Sequence, residues 1–108
     1  MHIDSCAVII PVYNEEGAIE DTLTRIRRIC ASVQGFDFEI ICVNDGSSDR
    51  TAEILARVDG ITVITHEVNR GYGAALRTGL DYCSQDWIFI SDADGTYPIE
   101  DLPRLLKV

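Results

Sequence analysis

The chain has 108 residues, of which 46% are hydrophobic and 25% charged, and its formal net charge is -9. That length holds one domain at most, and the apolar share is that of an ordinary globular core. So acidic a surface excludes nucleic acid and anionic membrane as natural partners, because phosphates are repelled.

Strand and helix patterns alternate along the chain. Residues 6–10 (Cys6-Ala7-Val8-Ile9-Ile10) are continuously apolar and stop at Pro11, as a strand buried on both faces of a parallel sheet does. A helix is expected over 16–32, where Ile19, Leu23, Ile26, Cys30 and Val33 recur at helical spacing and make one apolar stripe. Arg25, Arg27 and Arg28 fall mostly on the opposite, solvated face. Gly35 punctuates, and 38–43 (Phe38 to Val43) form a second strand. Ser47, Ser48 or Asp49 is placed to cap a helix over 49–58. The β-branched run 61–65 is a third strand, a helix over 72–84 turns Leu76, Leu80 and Cys83 inward, and Trp87-Ile88-Phe89-Ile90 is a fourth strand. A last helix begins near Ile99. Such alternation implies an α/β fold in which a mainly parallel sheet carries helices on both faces through right-handed crossovers. The whole of 1–108 reads as one domain without repeat, linker or low-complexity tract. Leu102, Leu105, Leu106 and Val108 make an apolar face with little chain left to cover it, so a larger parent or a homodimer through that helix is expected.

Cys6, Cys30, Cys42 and Cys83 form no C-x-x-C pair, and His2 and His66 lack zinc spacing. Four buried, reduced thiols are expected, and with them a cytoplasmic location, or the cytoplasmic face of a membrane in a longer parent. No apolar run approaches the ~18 residues of a membrane span, and the N-terminus carries no signal-peptide pattern.

In an open parallel sheet, ligands bind beyond the carboxyl ends of the strands. Each strand here runs into a polar cluster at that end: Tyr13-Asn14-Glu15-Glu16, Asn44-Asp45-Gly46-Ser47-Ser48-Asp49, His66 to Gly73, and Ser91-Asp92-Ala93-Asp94-Gly95. A solvent loop needs only turn formers and has no reason to bring Asp45, Asp92 and Asp94 to one rim. Asp92 and Asp94, one residue apart past a buried strand, offer hard oxygen ligands for Mg²⁺ or Mn²⁺ shared with a ligand's phosphates. Such a cation also reconciles an acidic chain with a phosphorylated ligand. Gly71-x-Gly73 opens a helix as a dinucleotide-binding loop does, but Leu76 stands where the third glycine belongs, so the glycines serve the helix start and close packing. Arg70 and Arg77 are within reach of a phosphate or of solvent, and His66 reads as a satisfied loop histidine.

Four segments together, Val8-Ile9-Ile10-Pro11-Val12-Tyr13-Asn14-Glu15-Glu16, Val43-Asn44-Asp45-Gly46-Ser47-Ser48-Asp49, Asn69-Arg70-Gly71-Tyr72-Gly73-Ala74-Ala75-Leu76 and Asp92-Ala93-Asp94, resemble glycosyltransferase family 2. Within it the chain is most similar to the polyprenyl- and dolichol-phosphate mannose or glucose synthases. The resemblance implies a Rossmann-like glycosyltransferase-A fold with strand order 3-2-1-4. It implies that Pro11, Val12, Tyr13 and Glu15 line a nucleoside pocket and that Val43 and Asp45 hold the base. It further places Asp92 and Ala93 near the ribose and diphosphate, Asp94 as main ligand of Mg²⁺ or Mn²⁺ with Asp92 beside it, and a nucleotide-diphosphate sugar as donor. The implied reaction is an inverting displacement onto an acceptor such as polyprenyl phosphate. Thr96 stands where the synthases often carry Gln, and the family's acceptor site and base lie beyond the equivalent of residue 108. Two rivals remain on the residues alone. Phe89 to Thr96 also fits the first motif of a haloacid-dehalogenase-type phosphatase with Asp92 as nucleophile, and the chain also reads as a non-enzymatic nucleotide-binding or interaction module.

Overall fold

The computed structural model describes residues 3–94. The expected terminal helix, with its Leu102, Leu105, Leu106 and Val108 face, and Thr96 lie outside the described residues. In chain order the elements are β1 (Asp4–Val12), α1 (Ile19–Ser32), β2 (Phe36–Asp45), α2 (Thr51–Ala56), β3 (Thr62–His66), α3 (Tyr72–Tyr82) and β4 (Trp87–Ile90). Every expected element within these bounds is present, and β1, β2 and β3 extend further toward their polar clusters than the apolar runs suggest, while β4 ends where its run does.

The four strands form one sheet in the order β3-β2-β1-β4, with every neighbouring pair parallel. Chain direction reverses its march across the sheet between β3 and β4. The switch point therefore falls at β1, flanked by β2 and β4. Side-chain alternation on β1 divides the core. Val8, Ile10 and Val12 face one layer with Ile19, Leu23 and Ile26 of α1 and Leu55 of α2, whereas Ala7 faces the other with Ile41, Val43 and Ala75 of α3. Helices thus cover both faces, as continuous apolar strands require.

Three expectations need correction. First, α1 begins at Ile19 rather than 16, because the Glu15 carbonyl accepts the amides of Ala18 (3.1 Å) and Ile19 (2.9 Å) and spends residues 16–18 in a turn. Second, α3 buries Ala75 and Gly79, while Leu80 is 41% exposed and Leu76 half-buried. The helix lies too close to the sheet for large side chains: a Cβ on Gly79 would stand 2.6 Å from Ile9 Cγ2 and 3.4 Å from Val43 Cγ2. Third, Cys83 is only half-buried. Cys6, Cys30 and Cys42 are buried, and desolvation pushes their thiols up to about 11, 12 and 12, so they stay protonated. No helix among the described residues is long and apolar enough to cross a membrane.

Candidate active site

The loop after β1 is built by interlocking with the loop after β2. Asn14 takes a left-handed backbone (φ +50°), which Asn tolerates better than most residues. Its Oδ1 then accepts the amides of Ser48 (2.7 Å) and Asp49 (3.3 Å), while its own amide donates to Ser47 Oγ (3.0 Å). The Glu15 amide donates to Thr51 Oγ1 (2.9 Å), and Asp49 accepts from both Glu16 N (3.3 Å) and Thr51 N (2.9 Å). The loop after β4 is anchored in turn: Ser91 N donates to Ile9 O (3.0 Å), and Thr22 Oγ1 of α1 donates to Ala93 O (3.0 Å).

The third join is between β2 and β3. Gly46 (φ +69°) lets the backbone of Val68 and Asn69 approach so closely that a Cβ there would stand 2.4 Å from Asn69 N. Beside it the carboxylate of Asp45, 3% exposed, accepts the amides of Arg70 and Gly71 (both 2.9 Å), Asn69 Nδ2 (3.1 Å) and His66 Nδ1 (2.8 Å). Burial opposes that charge, but the bonds from His66 and from the Arg70 and Gly71 amides outweigh it and hold Asp45 below the ordinary aspartate range.

Between these loops, over the carboxyl ends of β1, β2 and β4, lies a cavity of about 370 Å³. Pro11, Val12, Tyr13 and Glu15 form one wall, Asp45, Asn69, Tyr72 and Ala75 another, and Asp92, Ala93 and Asp94 the third. Every expected site residue is there except Val43. Its side chain is wholly buried in the core beneath α3 and does not line the cavity. Asn69, Tyr72 and Ala75 also line it, from a segment that the sequence marks only as a polar cluster running into a helix start. The exposed guanidinium residues Arg70 and Arg77 are not part of the wall.

The electrostatics favour a cation. Burial raises the Glu15 carboxyl above its ordinary value, and the negative charges of Asp94 and Asp49 raise it further. No three or more His, Cys, Asp or Glu side chains gather into a metal cage among the described residues. Asp92 and Asp94 instead supply two oxygen donors on an open rim, a set that suits a Mg²⁺- or Mn²⁺-type ion completed by a ligand's phosphates.

An open parallel sheet with a cleft at its switch point, floored by Pro and Val and rimmed by carboxylates, defines the Rossmann-like glycosyltransferase-A class of α/β fold. The chain belongs to glycosyl transferase family 2, whose model matches residues 7–108. It is 43% identical over 110 residues to an undecaprenyl-phosphate 4-deoxy-4-formamido-L-arabinose transferase of Pseudomonas paraeruginosa, covering 97% of this chain and 32% of that protein. The structure superposes on a mannosyltransferase of Pyrobaculum calidifontis in complex with GDP-Man and Mn²⁺ with a TM-score of 0.82, at 27% identity, over 99% of this chain and 32% of that one. A glucosyl-3-phosphoglycerate synthase of Mycobacterium tuberculosis, in complex with Mn²⁺, UDP and glucosyl-3-phosphoglycerate, matches at TM-score 0.64 and 34% identity, over 83% and 33% of the two chains. The chain spans about a third of the length of these relatives. Family membership decides against the phosphatase reading of Asp92.

Proposed function

We propose that the chain forms the donor-binding part of a glycosyltransferase that moves a sugar from a UDP- or GDP-linked donor to an acceptor, polyprenyl phosphate being the favoured class. The observation that carries this reading is the convergence of four separate strand-end segments on one cavity. Its apolar wall suits a nucleoside and its acidic rim suits a metal-bridged diphosphate. The relatives' names, one acting on undecaprenyl phosphate and two structures holding Mn²⁺ with GDP-Man or UDP, support it.

In this reading Pro11, Val12, Tyr13 and Glu15 bracket the nucleoside, and Asp45 holds the base-side wall. Ala93, fixed through its carbonyl by Thr22, lets the backbone lie against the ribose and diphosphate. Asp92 and Asp94 hold Mg²⁺ or Mn²⁺. When bound, that ion neutralises the charge of the leaving diphosphate as a Lewis acid. A phosphate acceptor is already an anionic nucleophile, so the site needs no strong base to activate it. The test is transfer to polyprenyl phosphate by the full-length protein, using radiolabelled UDP and GDP sugars with and without Mn²⁺. Product with either donor and none without metal is expected. Product that is indifferent to chelation sinks the metal assignment.

A further inference from the structure

His66 is a buried polar group that the proposed reaction leaves unused. It ends β3, is 6% exposed, and does not line the cavity. Both ring nitrogens are engaged: Nδ1 with Asp45 Oδ1 at 2.8 Å, and Nε2 with Thr78 Oγ1 of α3 at 2.8 Å. A carboxylate only accepts, so Nδ1 carries the proton. In the neutral ring Nε2 then accepts from the Thr78 hydroxyl. We propose that His66 is a positioning residue for the donor nucleotide, acting through Asp45 to fix segment 69–71 and, with it, the wall that α3 contributes to the cavity. The inference rests on the nucleotide-sugar reading above.

The geometry supports this role over that of simple packing. Asp45 has about four acceptor positions, and all are taken by groups of its own chain: His66 Nδ1, Asn69 Nδ2, and the amides of Arg70 and Gly71. Three of those donors belong to the approach of α3, which opens at Tyr72. Asp45 therefore shapes the wall formed by Asn69, Tyr72 and Ala75 by holding the backbone beneath it. His66 is the partner that keeps the carboxylate turned toward those amides. The ring also couples β3 to the middle of α3, so that strand end, carboxylate and helix move as one body. A histidine suits this place because it spans a carboxylate and a hydroxyl with two nitrogens on one flat ring.

Three variants of the full-length protein separate the roles. His66→Asn keeps a donor near the Nδ1 position, His66→Gln reaches the Nε2 position, and His66→Phe fills the volume with no hydrogen bond. Binding of UDP and of GDP, each with Mn²⁺, is measured by calorimetry, and amide exchange at Arg70 and Gly71 is followed without nucleotide. His66→Phe is expected to weaken the nucleotide that the wild type prefers by about tenfold, the scale of losing one hydrogen bond to a charged group. Exchange at both amides should rise locally. His66→Asn should recover most of the affinity and protection, and His66→Gln should not. If His66→Phe does not fold, the contrast between His66→Asn and His66→Gln decides alone. Unchanged affinity and exchange in His66→Phe, or equal behaviour of His66→Asn and His66→Gln, overturns the proposal while leaving the donor site intact. Wild-type protein that binds neither nucleotide overturns the donor-site reading and this one with it.

Discussion

The two rims of the sheet carry similar chemistry to different ends. At the amino-terminal rim polar groups close upon one another. Asp86 accepts the amide and hydroxyl of Ser5, whose Oγ accepts the Asp86 amide, and Glu39 collects Thr62, Tyr82 and Gln85. These contacts staple β1 to the start of β4, and β2 to β3 and to the end of α3. At the carboxyl-terminal rim Asp45 and Asp49 are consumed in the same way, by backbone amides. There, however, they tie loops together around a cleft, and Glu15, Asp92 and Asp94 line the space between. An acid that folds a loop and an acid that lines a cleft differ in their neighbours, not in type.

The sharpest way to break this comparison is at Gly46, where the brace depends on missing atoms. Gly46→Val adds a β-branched side chain at φ +69° against the backbone of Val68 and Asn69. Strain and overpacking together should cost about 2–5 kcal/mol and disorder the cleft. Chemical denaturation and nucleotide calorimetry on the same sample check it, and a wild-type midpoint would show that the loops have room to separate.

Asp94→Asn comes next and should divide binding from folding. Removing one oxygen ligand is expected to weaken Mn²⁺-dependent donor binding by roughly 2–3 kcal/mol, and chelation should do the same to the wild type. The melting temperature should hold or rise, since one of the charges repelling Glu15 is gone. A variant that binds normally but melts early would assign Asp94 to scaffolding.

The opposite rim predicts the reverse. Asp86→Ala removes a staple between β1 and β4 and should cost about 1 kcal/mol of stability with nucleotide affinity unchanged. A loss of affinity without a loss of stability would show that the rims are not independent.

The smallest effect is in acid. Asp45 has a folded-state pKa below its ordinary value of 3.8. Its stabilisation is therefore complete above that value and is lost as the pH falls through the lower folded one. The acid limb of a stability–pH curve should flatten in Asp45→Asn below about pH 4, with the variant already weaker at neutral pH. An unchanged acid limb would mean that other carboxylates dominate acid unfolding.

What was legible in the sequence follows from how each feature is encoded. The parallel sheet shows in the unbroken run Cys6 to Ile10, and the rim acids show because Asp92 and Asp94 stand directly past a strand. Large apolar residues mark a core only where there is room for them. On α3 the signal was the small pair Ala75 and Gly79, which a search for leucines passes over. The family resemblance pairs Val43 with Asp45, and the two side chains do share one face of β2, but Val43 lies one step back from the strand's end and is covered by α3, whereas Asp45 stands at the end. The network around Asp45 was illegible for a different reason. Two of its four donors are backbone amides 25 and 26 residues away, and an amide has no letter.

Asn14 reaches Ser47, Ser48 and Asp49 across separations of 33 to 35 residues. No local segment can make those bonds; they exist only once the crossover from β1 through α1 has brought β2 alongside. The first wall of the cleft thus forms only when the first βαβ unit closes. A nucleotide that binds this wall recognises the completed unit and not its parts, so it should slow opening of that unit.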